Sequence, residues 1–380
     1  MRTRVAQGFV VTLAVGFLLF ACGRRGETPS GSPAVPAALA KVVEEATSFD
    51  DIFEKVRVIP LALDDHSLLG TCSQILLVGN RLIAVDQRIS RRVVEFDLAS
   101  GQFLHSVGCV GSGPGQYQEP TWVAVDSAGR VLILDGNAGK LLRYSAEGTF
   151  AGAVDLASAG VLASRIEVGA DGLYYLFTAR PSRQKNREAH LVAVVDSSGN
   201  VRRHLVPWQP SGTAALYAGG GMCFGPRGLL FVTGPFDPKV QVWKITGEHL
   251  ATITDHLDAL PSPFTEDLLA KPVPTRELLK LLHDHVTPNG LFHVEPGLLI
   301  LTSASGKAYC LSFFDSGSLR VLNGAVCVTP ENSGSLTSPV LGSHGRFLFM
   351  VEEGAPSPGS GAQPGPGLNV VVFQPRMLSE

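Results

Sequence analysis

An all-β fold, in the form of a six-bladed β-propeller, is predicted by two features of this chain. The first is a rhythm of short apolar segments in which polar and apolar residues alternate, as they do in half-buried strands. The second is a tight Gly-containing turn that separates two such segments at six places. These turns are Gly79-Asn80-Arg81, Ala128-Gly129-Arg130, Ala170-Asp171-Gly172, Pro226-Arg227-Gly228, Glu295-Pro296-Gly297 and His344-Gly345-Arg346. Each turn marks one blade of ~40 to 50 residues, and a blade buries its faces only against its neighbours.

The strands of the first five blades follow the same rhythm. Blade I is predicted over 75–107, blade II over 122–155, blade III over 166–205, blade IV over 222–254 and blade V over 291–322. Blade VI supplies three short segments, 340–341, 347–351 and 370–373, and lacks an outer strand. Lys55–Leu61 is predicted to provide that strand and close the ring, which removes two unpaired sheet edges. A proline at Val58 is therefore expected to lower the melting temperature sharply.

The segment between blades IV and V is longer than a simple connection. Pro274-Thr275 is predicted to start a helix over Arg276–His285, which forms a short helical insertion. Its leucines, at 278, 279, 281 and 282, form an apolar side that is expected to pack on the propeller, with a partner surface as the alternative.

The N-terminus predicts where the protein resides. Arg2 and Arg4 precede an apolar stretch, Val10–Phe20, whose eleven residues are too few to span a bilayer. The following Leu19-Phe20-Ala21-Cys22 resembles a bacterial lipobox, and this resemblance implies cleavage before Cys22 and attachment of acyl chains such as palmitate to it. Two or more acyl chains hold a protein stably at a membrane. Gly23 in place of Asp favours the outer membrane over the inner one.

These observations divide the chain into four parts. Residues 1–21 are predicted as a lipoprotein signal peptide, 22–38 as the lipidated Cys with a flexible tether, 39–55 as a short helical lead-in and 56–374 as the propeller. Within this sequence the remaining length suits a single propeller, and no accessory catalytic domain is expected. A net charge of -3 gives no reason to expect a nucleic-acid partner.

One blade carries a motif. Gly111-Ser112-Gly113-Pro114-Gly115-Gln116-Tyr117, the later Ala124-Val125-Asp126 and the strand-ending Asp135 together resemble the NHL repeat. The other blades keep the rhythm without the motif, so the chain resembles six-bladed propeller lipoproteins more broadly. This resemblance implies structural roles for Asp126 and Asp135 as acceptors of backbone N–H bonds at turns.

A ligand-binding surface is predicted on the face that carries the loops between second and third strands and the connections between blades. Most charged residues predicted there are cationic, which suits an anionic ligand or an acidic partner; the alternative is that these loops carry solvated charges. The candidate residues are Arg88, Arg91, Arg165, Arg180, Arg183, Lys185, Trp208 and Lys239.

Catalytic patterns are weak in this sequence. A calcium-dependent lactonase needs several converging oxygen donors, for which Gln74 is the clear candidate, and a zinc-dependent lyase needs about three His ligands, of which His293 alone is in place. His283 and His285 point to different sides of a helix and are interpreted as a solvated helix end. We therefore predict no metal, no cofactor and no catalytic residue. The favoured function is an envelope lipoprotein that binds a protein, a glycan or another anionic ligand. The alternative is a metal-dependent propeller hydrolase or lyase, and a third possibility is a purely structural envelope component.

Five cysteines remain after Cys22. Cys310 and Cys327 are predicted to lie at the same end of blade V and to form a disulfide, which an oxidising envelope permits. Cys72 and Cys109 bracket blade I and form the next candidate pair, which leaves Cys223 as a buried thiol.

Overall fold

The computed structural model describes residues 34–64, 67, 69–70, 72–178, 189–208, 219–256, 264, 273–306, 308–328, 341–354 and 367–376. Within these residues three α-helices and twenty-six strands form, and no described helix has the length and apolar character needed to cross a bilayer. The predicted signal peptide, Cys22 and most of the tether lie outside the described residues.

Six four-stranded antiparallel sheets form the propeller, as predicted. The helices are α1 (Ala37–Glu45), α2 (Phe49–Ile52) and α3 (Thr275–Asp284). Blade I contains β2 (Gln74–Val78), β3 (Arg81–Asp86), β4 (Arg92–Asp97) and β5 (Phe103–Ser106). A small parallel pair follows, β6 (Cys109–Val110) and β7 (Gln116–Tyr117). Blade II contains β8 (Pro120–Val125), β9 (Val131–Asp135), β10 (Lys140–Tyr144) and β11 (Phe150–Asp155). Blade III contains β12 (Arg165–Val168), β13 (Tyr174–Phe177), β14 (His190–Val195) and β15 (Val201–Pro207).

The last three blades complete the ring. Blade IV contains β16 (Gly221–Phe224), β17 (Leu229–Thr233), β18 (Val240–Lys244) and β19 (His249–Ile253). Blade V contains β20 (Thr287–Val294), β21 (Leu298–Ala304), β22 (Tyr309–Asp315) and β23 (Arg320–Val328). Blade VI contains β24 (Leu341–His344), β25 (Phe347–Gly354), β26 (Gly367–Pro375) and, as its outer strand, β1 (Phe53–Pro60).

The ring closes through the N-terminal strand, as the sequence predicts. β1 pairs antiparallel with β26 and begins at Phe53, a few residues earlier than predicted. Val58 lies opposite Val371, and Leu61 N–H donates to Leu368 O in the same register. Because bonded and non-bonded pairs alternate along an antiparallel ladder, the N–H of Val58 faces away from β26. A proline at this position therefore removes no ladder bond, and the sharp fall in melting temperature predicted from the sequence is better tested at a bonded position such as Ile59.

The core lies between the blades. Six clusters of buried apolar side chains each fill one boundary between consecutive blades, because successive residues of a strand point to opposite sheet faces. The cluster between blades V and VI also includes Leu39 and Val43 of α1. Asn323 of β23 donates to the carbonyls of Val43 and Ala46, so the end of α1 is fixed to the outer edge of blade V.

The helical lead-in differs from the single helix predicted. It consists of α1 and α2, separated at Ala46–Ser48, where Ser48 accepts from the Asp51 N–H and Asp51 accepts from the Ser48 N–H. This capping box starts a new helix and thereby ends the first one.

The two ends of the ring carry different connections between strands. We call the end with the loops between second and third strands and the connections between blades the loop face, and the opposite end, with the hairpin turns, the turn face. α3 lies on the loop face, where Leu278 is buried and Leu281 and Leu282 are half-buried against the Phe236 region of blade IV. Leu279 was expected to share that contact but is 61% exposed. At 100° per residue it lies off the 278–281–282 side of the helix.

One of the two predicted cysteine pairs forms a disulfide, and the other does not. Cys310 and Cys327 lie opposite each other on β22 and β23 and form a disulfide. Cys72 and Cys109 are free thiols, so the second predicted pair does not form. The Cys72 thiol donates to the Gln74 carbonyl, whereas Cys109 contacts the amide of Gln116. Cys223 is a buried free thiol, as expected.

Candidate functional site

A buried carboxylate shapes the loop-face tip of blade I. Asp86 ends β3 and is fully buried. Its two oxygens accept hydrogen bonds from the N–H groups of Arg88, Ile89 and Ser90 at 2.9–3.0 Å and from the N–H of Gly70 at 2.7 Å. The charged carboxylate thus fixes the loop after β3 and ties it to the chain that enters blade I.

The loop fixed in this way presents two cations beside an apolar side chain. Arg88 and Arg91 are exposed, and Ile89 between them is 66% exposed. Arg91 has a φ of 52°, a left-handed conformation that the loop imposes. We call residues 87–91 the blade I tip. The bonds to Asp86 hold the backbone of this tip, while its side chains stay exposed to solvent.

Blade II repeats the clamp. Asp135 ends β9, is buried, and accepts from the N–H groups of Gln118, Glu119, Asn137 and Ala138. Asp126 accepts from backbone N–H groups of its own turn and from the guanidinium of Arg130. The structural roles implied for these two aspartates are thus seen in the described contacts.

The predicted cationic residues do not form one cluster. Arg88 and Arg91 lie on blade I, whereas Lys239 lies on blade IV, across the ring, and pairs with Asp237 at 3.2 Å. Trp208 follows β15 and is half-buried against the core between blades III and IV. Arg180, Arg183 and Lys185 lie outside the described residues.

Arg165 is the candidate that reaches the centre of the ring. It is the first residue of β12, and its guanidinium lies 4.5 Å from the ring centroid of Trp122 on blade II. The same guanidinium donates to the carbonyl of Asn289 on β20 of blade V. Because blade IV separates blades III and V, Arg165 spans the mouth of the central channel. Gly221 begins the intervening strand, β16, with no side chain of its own.

Glu167 lies deeper in the channel than Arg165. It follows Arg165 by two residues on β12 and therefore lies on the same side of the strand. Its side chain is half-buried. Burial raises the pKa of Glu167 to about 7, and the nearby Arg165 opposes the rise. A perturbed carboxyl in a channel is a functional-site candidate.

Sequence reasoning missed Glu167, although the sequence carries a signal for it. Arg165-Ile166-Glu167-Val168 alternates charged and apolar residues on a strand at the centre of the ring. Ile166 and Val168 enter the core between blades II and III, so the two charged residues face the other side.

The two residues considered as metal ligands have other partners. The amide of Gln74 exchanges two hydrogen bonds with the backbone of Val123, at 2.7 and 2.8 Å, and joins the inner strands of blades I and II. β20 begins at Thr287, so His293 lies near its far end, at the turn face, where it contacts the Ser316 hydroxyl at 3.3 Å. Burial lowers the pKa of His293. Among the described residues, no three His, Cys, Asp or Glu side chains are grouped as a metal site would require.

Solved structures share this fold at low sequence identity. A presumed exported protein of Bacteroides fragilis aligns with a TM-score of 0.63 and 16% identity over 87% of this chain and 97% of its own. A DUF4221 family member of Bacteroides vulgatus aligns with a TM-score of 0.58 and 11% identity over 86% of this chain and 99% of its own. The PQQ-bound aldose sugar dehydrogenase of Streptomyces coelicolor aligns with a TM-score of 0.50 and 12% identity over 85% of this chain and 98% of its own. These likenesses show the propeller fold alone.

At the level of sequence, no curated protein matches the chain. A family model does match, over residues 36–252, which include the lead-in, the closing strand and blades I to IV. This chain therefore belongs to the family described as Domain of unknown function (DUF4934).

Proposed function

We propose that this protein is a lipid-anchored envelope protein that binds an acidic partner protein through the loop face of a non-catalytic propeller. The observation that carries the proposal is the blade I tip, in which a buried carboxylate fixes a loop that exposes Arg88, Ile89 and Arg91. Arg is enriched at protein interfaces, and an exposed Ile beside it adds apolar contact area.

A fixed tip also lowers the cost of binding. Ordering a loop at an interface consumes part of the interaction free energy, about 0.5–1.5 kcal/mol for each immobilised side chain of many rotamers. The four backbone N–H bonds to Asp86 order the backbone before a partner arrives. The apolar Ile89 favours a protein over a glycan, because glycans offer fewer apolar contacts.

The membrane anchor and the NHL-type repeat are part of the same proposal. Lipidation of Cys22 is supported by the lipobox resemblance, and the outer membrane by Gly23 after it. Kinship of blade II with NHL repeats is supported by Asp135, whose hydrogen bonds give a structural use to the strand-ending Asp of that motif.

The test compares two charge-matched variants of the full-length protein. Arg88→Gln with Arg91→Asn removes two cations from the tip, and Asn tolerates the left-handed backbone at position 91. Arg202→Gln with Arg320→Gln removes two exposed cations from the turn face, where they pair with Asp196 and Glu44. Each protein is immobilised and exposed to envelope extracts at low and high salt, and every captured protein is quantified.

We expect the tip variant to lose at least ~90% of an acidic protein that the wild type and the turn-face variant both retain, with capture weakened by salt. Equal capture by all three proteins would contradict the proposal, as would capture that salt does not affect.

A further inference from the structure

The connection between blades I and II leaves one strand edge open. Within its parallel pair, Val110 of β6 lies opposite Tyr117 of β7, and the N–H of Gly111 donates to the Tyr117 carbonyl at 2.9 Å. Alternate residues of a parallel pair direct their main-chain groups toward the neighbouring strand and away from it, so the N–H and C=O of Val110 face away from β7. Among the described residues, none forms a hydrogen bond with the main chain of Val110.

Solvent reaches this edge, so another chain can reach it too. Both residues of β6, Cys109 and Val110, are exposed, and Val110 is 47% accessible. The exposed residues that follow at 112–114 are Ser, Gly and Pro, whose side chains are small. An exposed, unpaired strand edge is a template on which another chain can form a strand.

The same edge lies beside the cations of the blade I tip. Before β6, the N–H of Val107 donates to the Val93 carbonyl at 2.9 Å, so the chain leaving blade I runs along the first residues of β4. Arg91, the last residue of the tip, directly precedes β4 and is exposed. The connection itself carries one carboxylate, Glu119, which accepts a hydrogen bond from the Gln87 amide at 2.7 Å. Positive charge therefore exceeds negative charge near the edge, which favours an acidic chain.

The outer edge of β1 is the closest comparison, and it lacks this charge. Val56 and Val58 are exposed there, at 43% and 44%. The cations beside them are engaged, because Lys55 pairs with Glu352 at 3.7 Å and Arg57 donates to a carbonyl of blade I. Of these two edges, the one at β6 has an open main chain together with exposed arginines of the tip.

We propose that the partner protein presents an extended acidic segment, which adds a strand along Val110 and places its carboxylates at the arginines of the blade I tip. This inference rests on the docking function proposed above and names the form of the partner. In strand addition the main-chain hydrogen bonds supply affinity and the side chains supply specificity. Two main-chain bonds alone hold a peptide weakly, and so do ion pairs exposed to solvent. A segment that makes both sets of contacts is therefore selected over a basic strand.

The test is fluorescence anisotropy of labelled hexapeptides titrated with the full-length protein in detergent. The first peptide alternates Glu and Val, the second has the same sequence with every backbone nitrogen methylated, and the third alternates Lys and Val. We expect the acidic peptide to bind with a Kd below about 1 mM, and the other two to bind at least about tenfold more weakly. Methylation removes the main-chain donors and leaves the charges, so the second peptide separates strand addition from charge attraction.

Three variants locate the binding of the acidic peptide. Val110→Pro removes an N–H that has no partner among the described residues, so the fold should survive while binding weakens at least about tenfold. Leu104→Ala, the matched control, removes an equally exposed aliphatic side chain from β5 and should bind as the wild type does. The tip variant Arg88→Gln with Arg91→Asn should weaken binding at least about threefold at low salt, and less at high salt.

Several results would overturn the proposal. One is the absence of binding of the acidic peptide at protein concentrations up to about 1 mM. Others are equal binding of the methylated peptide and full retention of binding by Val110→Pro. If Val110→Pro fails to fold, the methylated peptide decides on the wild-type protein.

Capture from envelope extracts keeps this proposal apart from the docking function. An acidic protein that Val110→Pro retains and the tip variant loses would leave the docking function standing without strand addition. An acidic protein that the tip variant also retains would contradict the docking function itself.

Discussion

At the scale of single residues, Asp86 is where one side chain holds most of a loop together. Asp86→Ala leaves the N–H groups of Gly70, Arg88, Ile89 and Ser90 without their acceptor. We expect the free energy of unfolding to fall by about 2–4 kcal/mol, since a buried unpaired donor costs about 1–3 kcal/mol and the exposed part of the loop recovers some bonds to water. Chemical unfolding followed by tryptophan fluorescence measures this change.

The matched control is Asp237→Ala, which removes an exposed aspartate from the equivalent loop of blade IV. Asp237 accepts one backbone bond, from Lys239 at 3.2 Å, and forms a surface ion pair. We expect a loss of about 0.5 kcal/mol or less. Equal losses in the two variants would mean that Asp86 does not fix the blade I tip.

The ionisation of Glu167 predicts how the stability of the protein changes with pH. Its pKa lies at about 7 in the folded protein against 4.5 for the ordinary side chain. Below about pH 4.5 the Glu167 carboxyl group is protonated in both the folded and the unfolded protein. Between about pH 4.5 and 7 it loses its proton in the unfolded chain first, so the free energy of unfolding falls as the pH rises. Above about pH 7 the group is ionised in both states and the loss of stability is constant. Glu167→Gln has no such loss and should gain about 1–2 kcal/mol on the wild type between pH 4.5 and 8, reduced by screening from channel water.

That gain is measured from urea unfolding of both proteins at the two pH values. A difference between the proteins that does not change with pH would show that Glu167 ionises normally in the folded state.

Single residues also show why sequence predicts this site in part. The turn roles of Asp126 and Asp135 were implied by the resemblance to the NHL repeat, and the bonds that Asp126 accepts are indeed local. Asp135 accepts local bonds and also bonds from Gln118 and Glu119, which lie 17 and 16 residues away. Arg165 was predicted as a cation of the loop face, but its contact with Asn289 spans 124 residues of sequence. Gln74 likewise meets Val123 through a separation of 49 residues. Contacts of this kind depend on which blades meet at the channel, and a single sequence does not specify that geometry.

At the scale of elements, β1 decides whether the ring closes. Ile59 and Leu61 are at bonded positions of the ladder with β26, whereas Val58 and the natural Pro60 are not. We expect Val58→Pro to cost about 1 kcal/mol or less, because no ladder bond is lost. Ile59→Pro should cost at least ~3 kcal/mol, since it removes a ladder bond and a side chain that is 2% exposed.

Ile59→Ala is the control for the side chain alone, and the excess loss in Ile59→Pro measures the backbone contribution. Thermal unfolding of the four proteins gives the order. A Val58→Pro variant as unstable as Ile59→Pro would contradict the described register.

Elements also differ in how well local signals define them. The six turns were found because Gly and its neighbours mark them, and those turns give the correct blade count. The start of β20 was missed by four residues, since Thr287-Pro288-Asn289-Gly290 reads as a loop in sequence. In the fold this segment pairs with Thr302–Ala304, and the neighbouring blade covers it. Tertiary pairing there overrides the local preference.

At the scale of the whole molecule, the docking function and the metal-dependent alternative make different predictions. A metal that binds the folded state stabilises it by mass action, about 2.7 kcal/mol when its concentration is a hundred times Kd. The docking proposal requires no metal, so EDTA should leave the melting temperature of the full-length protein unchanged. A large decrease that calcium or zinc reverses would favour a metal-dependent hydrolase or lyase instead.

The position of the N-terminal segment predicts how the propeller is oriented on a membrane. Val35 N–H donates to Asp315 at the end of β22, and Ala34 packs on Gly317 in the following turn, so the chain leaves the propeller at the turn face of blade V. Twelve residues lie between Cys22 and Val35, and even a fully extended chain across these thirteen steps reaches about 45 Å at most. If Cys22 is lipidated, the tether joins the bilayer to the turn face, and we expect this face to lie nearer to the bilayer than the blade I tip does.

This orientation is measurable by energy transfer on the lipidated protein in vesicles. A donor dye is attached at Ser318→Cys, in the turn of blade V, or at Ile89→Cys, in the blade I tip, each with Cys109 replaced by Ser because that thiol is exposed. Transfer to acceptor-labelled lipid headgroups should be clearly more efficient from position 318 than from position 89. Equal efficiencies would mean that the propeller turns freely on its anchor, and a partner could then reach the tip from the membrane side as well. The expected asymmetry instead restricts the partner to the space beyond the membrane, which is where a tip of two arginines and one isoleucine can meet an acidic protein without competition from lipid headgroups.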